Sequence, residues 1–475
     1  MTELARARPS PALVVTASAF GFALIQLDVT IVNVALPRIG AELTTGVDGL
    51  QWVVDAYALV FSALLLSAGF LGDRFGARRV YLAGVALFAL SSLICGTAGG
   101  AGGLITGRVL QGIAAAAMLP ASLALLNHAL GHDAGVRAWA VGWWTAAGSV
   151  TIAAGPVVGG LLLGVGGWRS IFLVNLPLCL IGAVLIPTIP ETPKGPGRGV
   201  DLPGQGLCVL ALAGLIAAVI EARPLGLAHP LVLGCAGAGV AASAGFLLVE
   251  ARSGHPMLPL SLFRVPGFGV CVLYGMVVNL TYYGTVFILS LYLQRVLGYL
   301  PLEAGLAYLP LTATFVVVNV LSGRVVTRFG HRRPMIWGAL VDATGFALLL
   351  SLGPHSAYWA MILPFALMPA GMGTGVPAMT TAVLSAVPKH QSGIGAAVLN
   401  AARQAAGAMG VALFGALAGA GAGAGAGDGA ATAAAGMGDG LVRGLRMSAL
   451  VAIGLLVTAS ILAARVMPAG HAPRK

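Results

Sequence analysis

The chain has 475 residues, of which 58% are hydrophobic and only 9% charged, and its formal net charge is +11. A soluble domain carries about 25% charged residues, so this chain cannot cover a globule with polar groups and lipid must be its solvent. Its basic residues sit in short loops beside apolar runs, which excludes a nucleic-acid surface and reads as the positive-inside pattern of a membrane protein.

Apolar runs of roughly 20 residues, each long enough to cross a bilayer as a helix, predict about fourteen spans. Six occupy 12–36, 50–71, 80–99, 102–127, 138–163 and 168–189. Two more, 205–222 and 229–249, follow a charged, Pro- and Gly-rich divider at 187–201. An amphipathic link at 250–264 leads to the last six, 267–292, 303–324, 334–352, 357–384, 394–419 and 441–464. The predicted organisation is therefore a six-helix bundle over 1–190, a linker with two extra transmembrane helices over 191–263, and a second six-helix bundle over 264–475. An even count puts both termini on one side, and most Lys and Arg fall in the loops of that side, so both termini are expected in the cytoplasm. Arg6 and Arg8 lead into a span that holds Asp28 and is longer than a signal core, so no cleaved signal is expected. Cys95, Cys179, Cys208, Cys235 and Cys271 lie in apolar segments without CxxC spacing and read as small apolar residues, with no metal site. The tract 419–440 is nearly all Gly and Ala and reads as a loop, with a poorly formed helix as the alternative.

Taken in chain order, the first span holds Asp28, with Gln26 and Asn33 seven residues apart forming a polar stripe. An ionisable group at that depth costs at least ~2.5–3.5 kcal/mol unless it meets a partner or a polar cavity, so it is a functional candidate. The second span places Gln51 four residues before Asp55, on the same helix face. Between the second and third spans lies GFLGDRFGARR, starting at Gly69 and holding Asp73, Arg74, Gly76, Arg78 and Arg79. A second copy, GRVVTRFGHRR, runs from Gly323 to Arg333, with Thr327 where the first has Asp73. Two related halves in a helical membrane chain point to a secondary transporter. Arg108, Gln111 and Gly112 share one face of the fourth span, and Gly155, Pro156, Gly159 and Gly160 should bend and tightly pack the fifth. In the second half the polar positions are Asn279, Asn319, Asn400, Arg403 and Gln404, and Asp342 is an acid at membrane depth. Trp52, Tyr57, Trp143, Trp144, Tyr282 and Tyr283 are candidates for either cavity walls or interface belts.

The stretches LDVTIVNVALP from Leu27, GFLGDRFGARR, RVLQGIAAAAMLP from Arg108 and AAGPVVGG from Ala153 together resemble the major facilitator superfamily, in its branch of fourteen-helix drug/proton antiporters. GWRSIFLVNLP from Gly167, LYLQRVLG from Leu291 and LNAARQAAGAMG from Leu399 add to the likeness. The resemblance implies an all-α major facilitator fold and proton-coupled export of small hydrophobic or cationic compounds, drugs or antibiotics, by alternating access across the cell membrane. It implies no enzyme and no cofactor, the proton gradient being the driving force, with protons, a small-molecule substrate and lipid as partners. It assigns proton coupling to Asp28, Asp55 and Arg108. Gln26, Asn33, Gln51, Asp55, Gln111, Asn279, Asn400 and Arg403 would meet substrate. Gly69, Asp73, Arg74, Gly76, Arg78, Gly155, Pro156 and Gly159 would gate. Some multidrug relatives carry acids in the tenth and thirteenth spans; here Asn319 and Arg403 stand there instead, which argues against a dicationic or broad cationic range. Alternatives left open are an exporter of an endogenous metabolite, a non-transporting membrane sensor and a membrane enzyme. No GxxxxGK[ST] loop and no HExxH helix supports an ATPase or a metalloprotease.

Overall fold

The computed structural model describes residues 10–130, 134–193, 201–254, 256–387, 392–420 and 430–467. Among them are sixteen α-helices and no strand. The first half holds α1 (Pro11–Glu42), α2 (Val47–Phe75), α3 (Ala77–Gly96), α4 (Ala101–Leu130), α5 (Ala134–Gly166), α6 (Arg169–Leu173) and α7 (Asn175–Leu185). Then come α8 (Leu202–Leu225) and α9 (Pro230–Arg252). The second half holds α10 (Phe268–Leu291), α11 (Pro301–Ala307), α12 (Leu309–Phe329), α13 (Arg332–Leu349), α14 (Trp359–Ala386), α15 (Ser392–Ala420) and α16 (Ala430–Val466). Every predicted span coincides with a helix or with a broken pair, α6 with α7 and α11 with α12. Twelve of these units are long and apolar enough to cross a membrane, and bent α5 makes a thirteenth. The remaining predicted span is α13, whose 18 residues carry Arg332, Arg333 and Asp342.

Local chemistry sets the ends. Ser10 accepts from the Leu13 amide at 3.3 Å and Pro11 opens α1, while the Asp201 carboxylate accepts from the Gly204 amide at 2.8 Å to start α8. Of the Gly/Ala tract expected as a loop, residues 430–440 are helical and extend α16, because alanine carries the lowest cost of helix formation; 421–429 lie outside the described residues. Cys95, Cys179 and Cys271 are buried, whereas Cys208 and Cys235 are only partly so; all five are free thiols.

Packing follows the small residues. α1 lies along α5, α4 along α2 and α3, and in the second half α10 lies along α15 and α13 along α14. A Cβ on Gly112 would come within 2.7 Å of the Tyr57 carbonyl, so the glycine lets α4 touch the α2 backbone. The halves meet along α2–α15 and along α5 with α11 and α12. At the end of the bundle where α1 stops and α2 starts, Gln294 donates to the Val34 carbonyl at 2.9 Å, and the Ser290 hydroxyl donates to the Asn33 carbonyl. Gln294 lies in a π turn, Tyr292–Val296, that directly continues α10.

The duplicated hairpins fold alike. Gly76 (φ 97°) and Gly330 (φ 71°) each end a helix in a conformation L side chains rarely adopt. Arg74 sits over Phe75 at 5.5 Å and Arg328 over Phe329 at 5.4 Å. Arg78 donates to the Ile189 carbonyl at 3.2 Å, and Arg332 donates to the Ala464 carbonyl, so each hairpin binds the end of the last span of its own half.

Candidate functional site

Asp28 on α1 is fully buried, and its Oδ2 lies 2.6 Å from Nη1 of Arg108 on α4, itself 1% exposed. Arg108 is further satisfied by Gln111 Oε1 at 2.8 Å and by the Val53 carbonyl, to which Nε donates at 3.0 Å. Its guanidinium stacks on the Tyr57 ring at 4.4 Å. The other carboxylate oxygen, Oδ1, accepts from Asn175 Nδ2 at 3.0 Å and from Gln111 Nε2 at 3.3 Å. Ser92 on α3 ties both amides together, accepting from Gln111 at 2.8 Å and Asn175 at 3.2 Å. A buried ion pair recovers its desolvation cost only when its remaining donors and acceptors are met, and here four helices meet them.

Arg108 also forms part of a central cavity between the halves. Val29, Asn33, Val54, Tyr57, Ala58 and Phe61 line it from the first half, and Tyr283, Gln404, Gly407, Ala408 and Val411 from the second. Its volume is about 30 Å³, room for about one or two waters, against roughly 300–1,000 Å³ for a pocket that encloses a drug-sized ligand. In this conformation the centre is collapsed.

The other expected residues separate into distinct places. Asn33 reaches the cavity wall, although its amide also donates to the Val29 carbonyl of its own helix at 3.2 Å. Gln26 is buried on α1 and is not part of that wall. Gln51 is committed to structure: it donates to the Ala412 carbonyl at 2.7 Å and sits against Gly415, joining α2 to α15. Asp55, one turn along, is fully buried, and neither carboxylate oxygen has a hydrogen-bond partner among the described residues. Asn279 accepts from Arg403 Nε at 3.2 Å. Asn400 is exposed, one turn below Gln404 on the same face of α15. Asn319 donates to the Phe315 carbonyl of its own helix at 2.8 Å. Asp342 is buried where a Cβ on Gly371 would come within 2.7 Å of its own Cβ, so it lies at the α13–α14 contact. Among the aromatic candidates Tyr57 and Tyr283 wall the cavity. Trp52 donates to Glu221 at 3.1 Å, Trp144 stacks on Phe22 at 4.0 Å, Tyr282 stacks near Phe315, and Trp143 is 58% exposed.

At the gating positions, α5 bends by 44° between Ile152 and Ala154. Pro156 has no N–H to offer the Ile152 carbonyl, which accounts for the bend. Gly159 faces the Ile31 carbonyl of α1, and Gly160 faces Pro301 and Leu302 of α11, so α5 wedges between the halves. Gly69 packs near Pro120 of α4. Asp73 and Arg74 are exposed. The carboxylate at the start of α3 belongs instead to Glu191, which accepts from the Arg78 amide at 2.8 Å and lies 3.9 Å from the Arg78 Nε. Thr192 accepts from the Ala77 amide at 2.8 Å. A Cβ on Gly76 would strike Glu191 at 2.7 Å.

Residues 18–411 match the family model described as Major Facilitator Superfamily. The chain belongs to the major facilitator superfamily. It is 36% identical over 398 residues to the methylenomycin A resistance protein of Bacillus subtilis, covering 84% of this chain and 85% of that protein. It is also 36% identical over 404 residues to the multidrug resistance protein Stp of Mycobacterium tuberculosis, covering 85% and 75%. In fold it is similar to a bacterial homolog of the human lysosomal transporter Spinster in an inward-facing, unoccupied conformation, with a TM-score of 0.70, 17% identity and coverage of 98% and 100%. This superfamily member is thus a multi-pass membrane protein of a transporter family.

The polar residues that sequence reasoning did not single out are Ser92, Asn175, Glu191 and Thr192. Asn175 was visible as one amide in an otherwise apolar run, FLVNLP, and Glu191 as the first acid after the sixth span. Nothing in the local pattern of α3 marks Ser92 over Ser91.

Proposed function

We propose that the chain is a proton-coupled antiporter that exports small, largely apolar compounds of the drug or antibiotic class from the cytoplasm across the cell membrane, both termini lying on the cytoplasmic side. The observation that carries this reading is the buried Asp28–Arg108 pair, whose cation also faces the central cavity. A guanidinium does not release its proton in a protein, so within this pair only the Asp28 carboxylate can exchange one. Protonation of Asp28 removes the charge that holds Arg108, freeing the guanidinium to shift against Tyr57 and change the cavity. Binding of substrate against those walls and protonation of Asp28 then compete through one cation, which is a coupling free energy between two sites. The resistance proteins to which the chain is similar support a drug-like substrate, and the charge distribution of the loops supports the orientation. No bound cofactor enters this cycle.

The test is drug-evoked proton release from everted membrane vesicles holding the native chain or Asp28→Asn, over a panel of antibiotics and dyes. Release that requires Asp28 is expected. Equal release from both proteins would make Asp28 structural and shift the proton to Asp55.

A further inference from the structure

Each half of the carrier holds one arginine deep between its helices, and the protein treats the two differently. Arg108 has a carboxylate, an amide oxygen and a carbonyl around it. Arg403 on α15 has one acceptor among the described residues, Asn279 Oδ1 at 3.2 Å, and it binds Nε. None of the ion pairs among those residues includes it. A guanidinium carries five N–H donors in a planar fork, so its two terminal nitrogens are left without a protein acceptor there. Its stem is fixed: a Cβ on Gly275 of α10 would come within 3.0 Å of Arg403 Cγ, so the glycine is the floor on which the chain lies.

The position of this fork matters. Gln404, the next residue, and Gly407, one turn on, line the central cavity, as does Tyr283, which packs against Gly407; Arg403 lies beside that lining and is not part of it. Arg403 is partly exposed, whereas Arg108 is 1% exposed. Asp342, the acid at depth in this half, lies at the α13–α14 contact and forms no ion pair with it among the described residues. A guanidinium that cannot shed its charge, held at depth without a counter-ion, is costly unless something else brings the negative charge. A carboxylate meets the open fork with two parallel hydrogen bonds.

We propose that Arg403 is the docking point for a carboxylate on the exported compound, so that the substrate is a small apolar molecule bearing one acidic group. The proposal rests on the export reading above and narrows its substrate class. The substrate then supplies to the second half what Asp28 supplies to the first.

Nalidixic acid, its methyl ester and the cation ethidium are suitable probes, since the ester keeps the ring system and replaces the negative charge with a neutral methyl ester. Uptake of each into energised everted vesicles is compared for the native chain, Arg403→Gln and Arg403→Lys, with monodispersity in detergent as the folding control. The native chain is expected to accumulate the acid in preference to the ester. Arg403→Gln should lower acid uptake about tenfold or more, with ester and ethidium uptake within about twofold of native, and Arg403→Lys should retain part of the acid uptake. The purified native protein should gain thermal stability with the acid and not with the ester, a measurement that needs no variant. If the native chain moves ethidium or the ester but neither moves nor binds the acid, export stands and the carboxylate site is refuted. Equal loss of all three probes in a folded Arg403→Gln makes Arg403 structural and also refutes it. If none of the three is moved or bound by the native chain, the export reading falls with it.

Discussion

Asn175 holds Asp28 and Ser92 in one place through two hydrogen bonds from a single amide. Asn175→Ala leaves the buried carboxylate one donor short, and a drop in stability of about 1–3 kcal/mol is expected in a thermal melt of the purified protein. Removing Asp28 itself by Asp28→Ala strands the Arg108 charge and should cost more, about 3–5 kcal/mol in the same melt. The ionisable members of this network were legible in the sequence because a charge at membrane depth is expensive and therefore conspicuous. Ser92 was not, because a serine can satisfy its hydroxyl on its own helix, as Ser91 does with the Phe88 carbonyl. Gln51 read as a binding residue on the strength of its polarity, yet its amide spans to the α15 backbone. No residue pattern on α2 shows that a partner helix offers a bare carbonyl and a glycine there.

At the scale of the helix, α5 shows how a backbone defect becomes a shape. Pro156→Ala restores the missing hydrogen bond to the Ile152 carbonyl and should stabilise a straighter α5. Transport is expected to fall even though the melting temperature does not, because the bent helix fits against α1 and α11 at Gly159 and Gly160. The bend was legible from the Gly-Pro pair alone. The start of α3 was not, because its acid comes from 191, beyond the sixth span, far from the hairpin in sequence. Glu191→Ala removes the acceptor for the Arg78 amide and should destabilise the α3 start by about 0.5–2 kcal/mol. Faster hydrogen exchange at residues 77–80 is the measurement; unchanged exchange there would show that Thr192 suffices.

For the molecule as a whole, the duplication was readable before any contact was known. Arg78 and Arg332 occupy matching positions in the two hairpins and each reaches the final span of its half. The contacts between halves were not readable, since Gln294 reaches α1 from a π turn that no hydrophobic period announces. Gln294→Ala deletes one tie between the halves at the end where α1 stops and α2 starts, about 1 kcal/mol. It should raise the labelling rate of an introduced Asn33→Cys by an impermeant maleimide several-fold relative to the same cysteine with Gln294 intact.

α8 is fastened to α2 at two heights, by Gln205 donating to the Ala63 carbonyl at 2.9 Å and by Trp52 donating to Glu221 at 3.1 Å. Against α15 it packs apolar side chains, Ile216 and Ile220 with Ala408 and Ala412 at the centre. Such a helix is tied to the first half by hydrogen bonds and meets the second through apolar side chains. It also shutters one flank of the carrier. A lipophilic compound leaving the cavity sideways along the α2–α15 seam would have to pass α8, which packs on both helices, whereas the other seam is closed by α5 itself, pressed against α11 at Gly160 and Gly305.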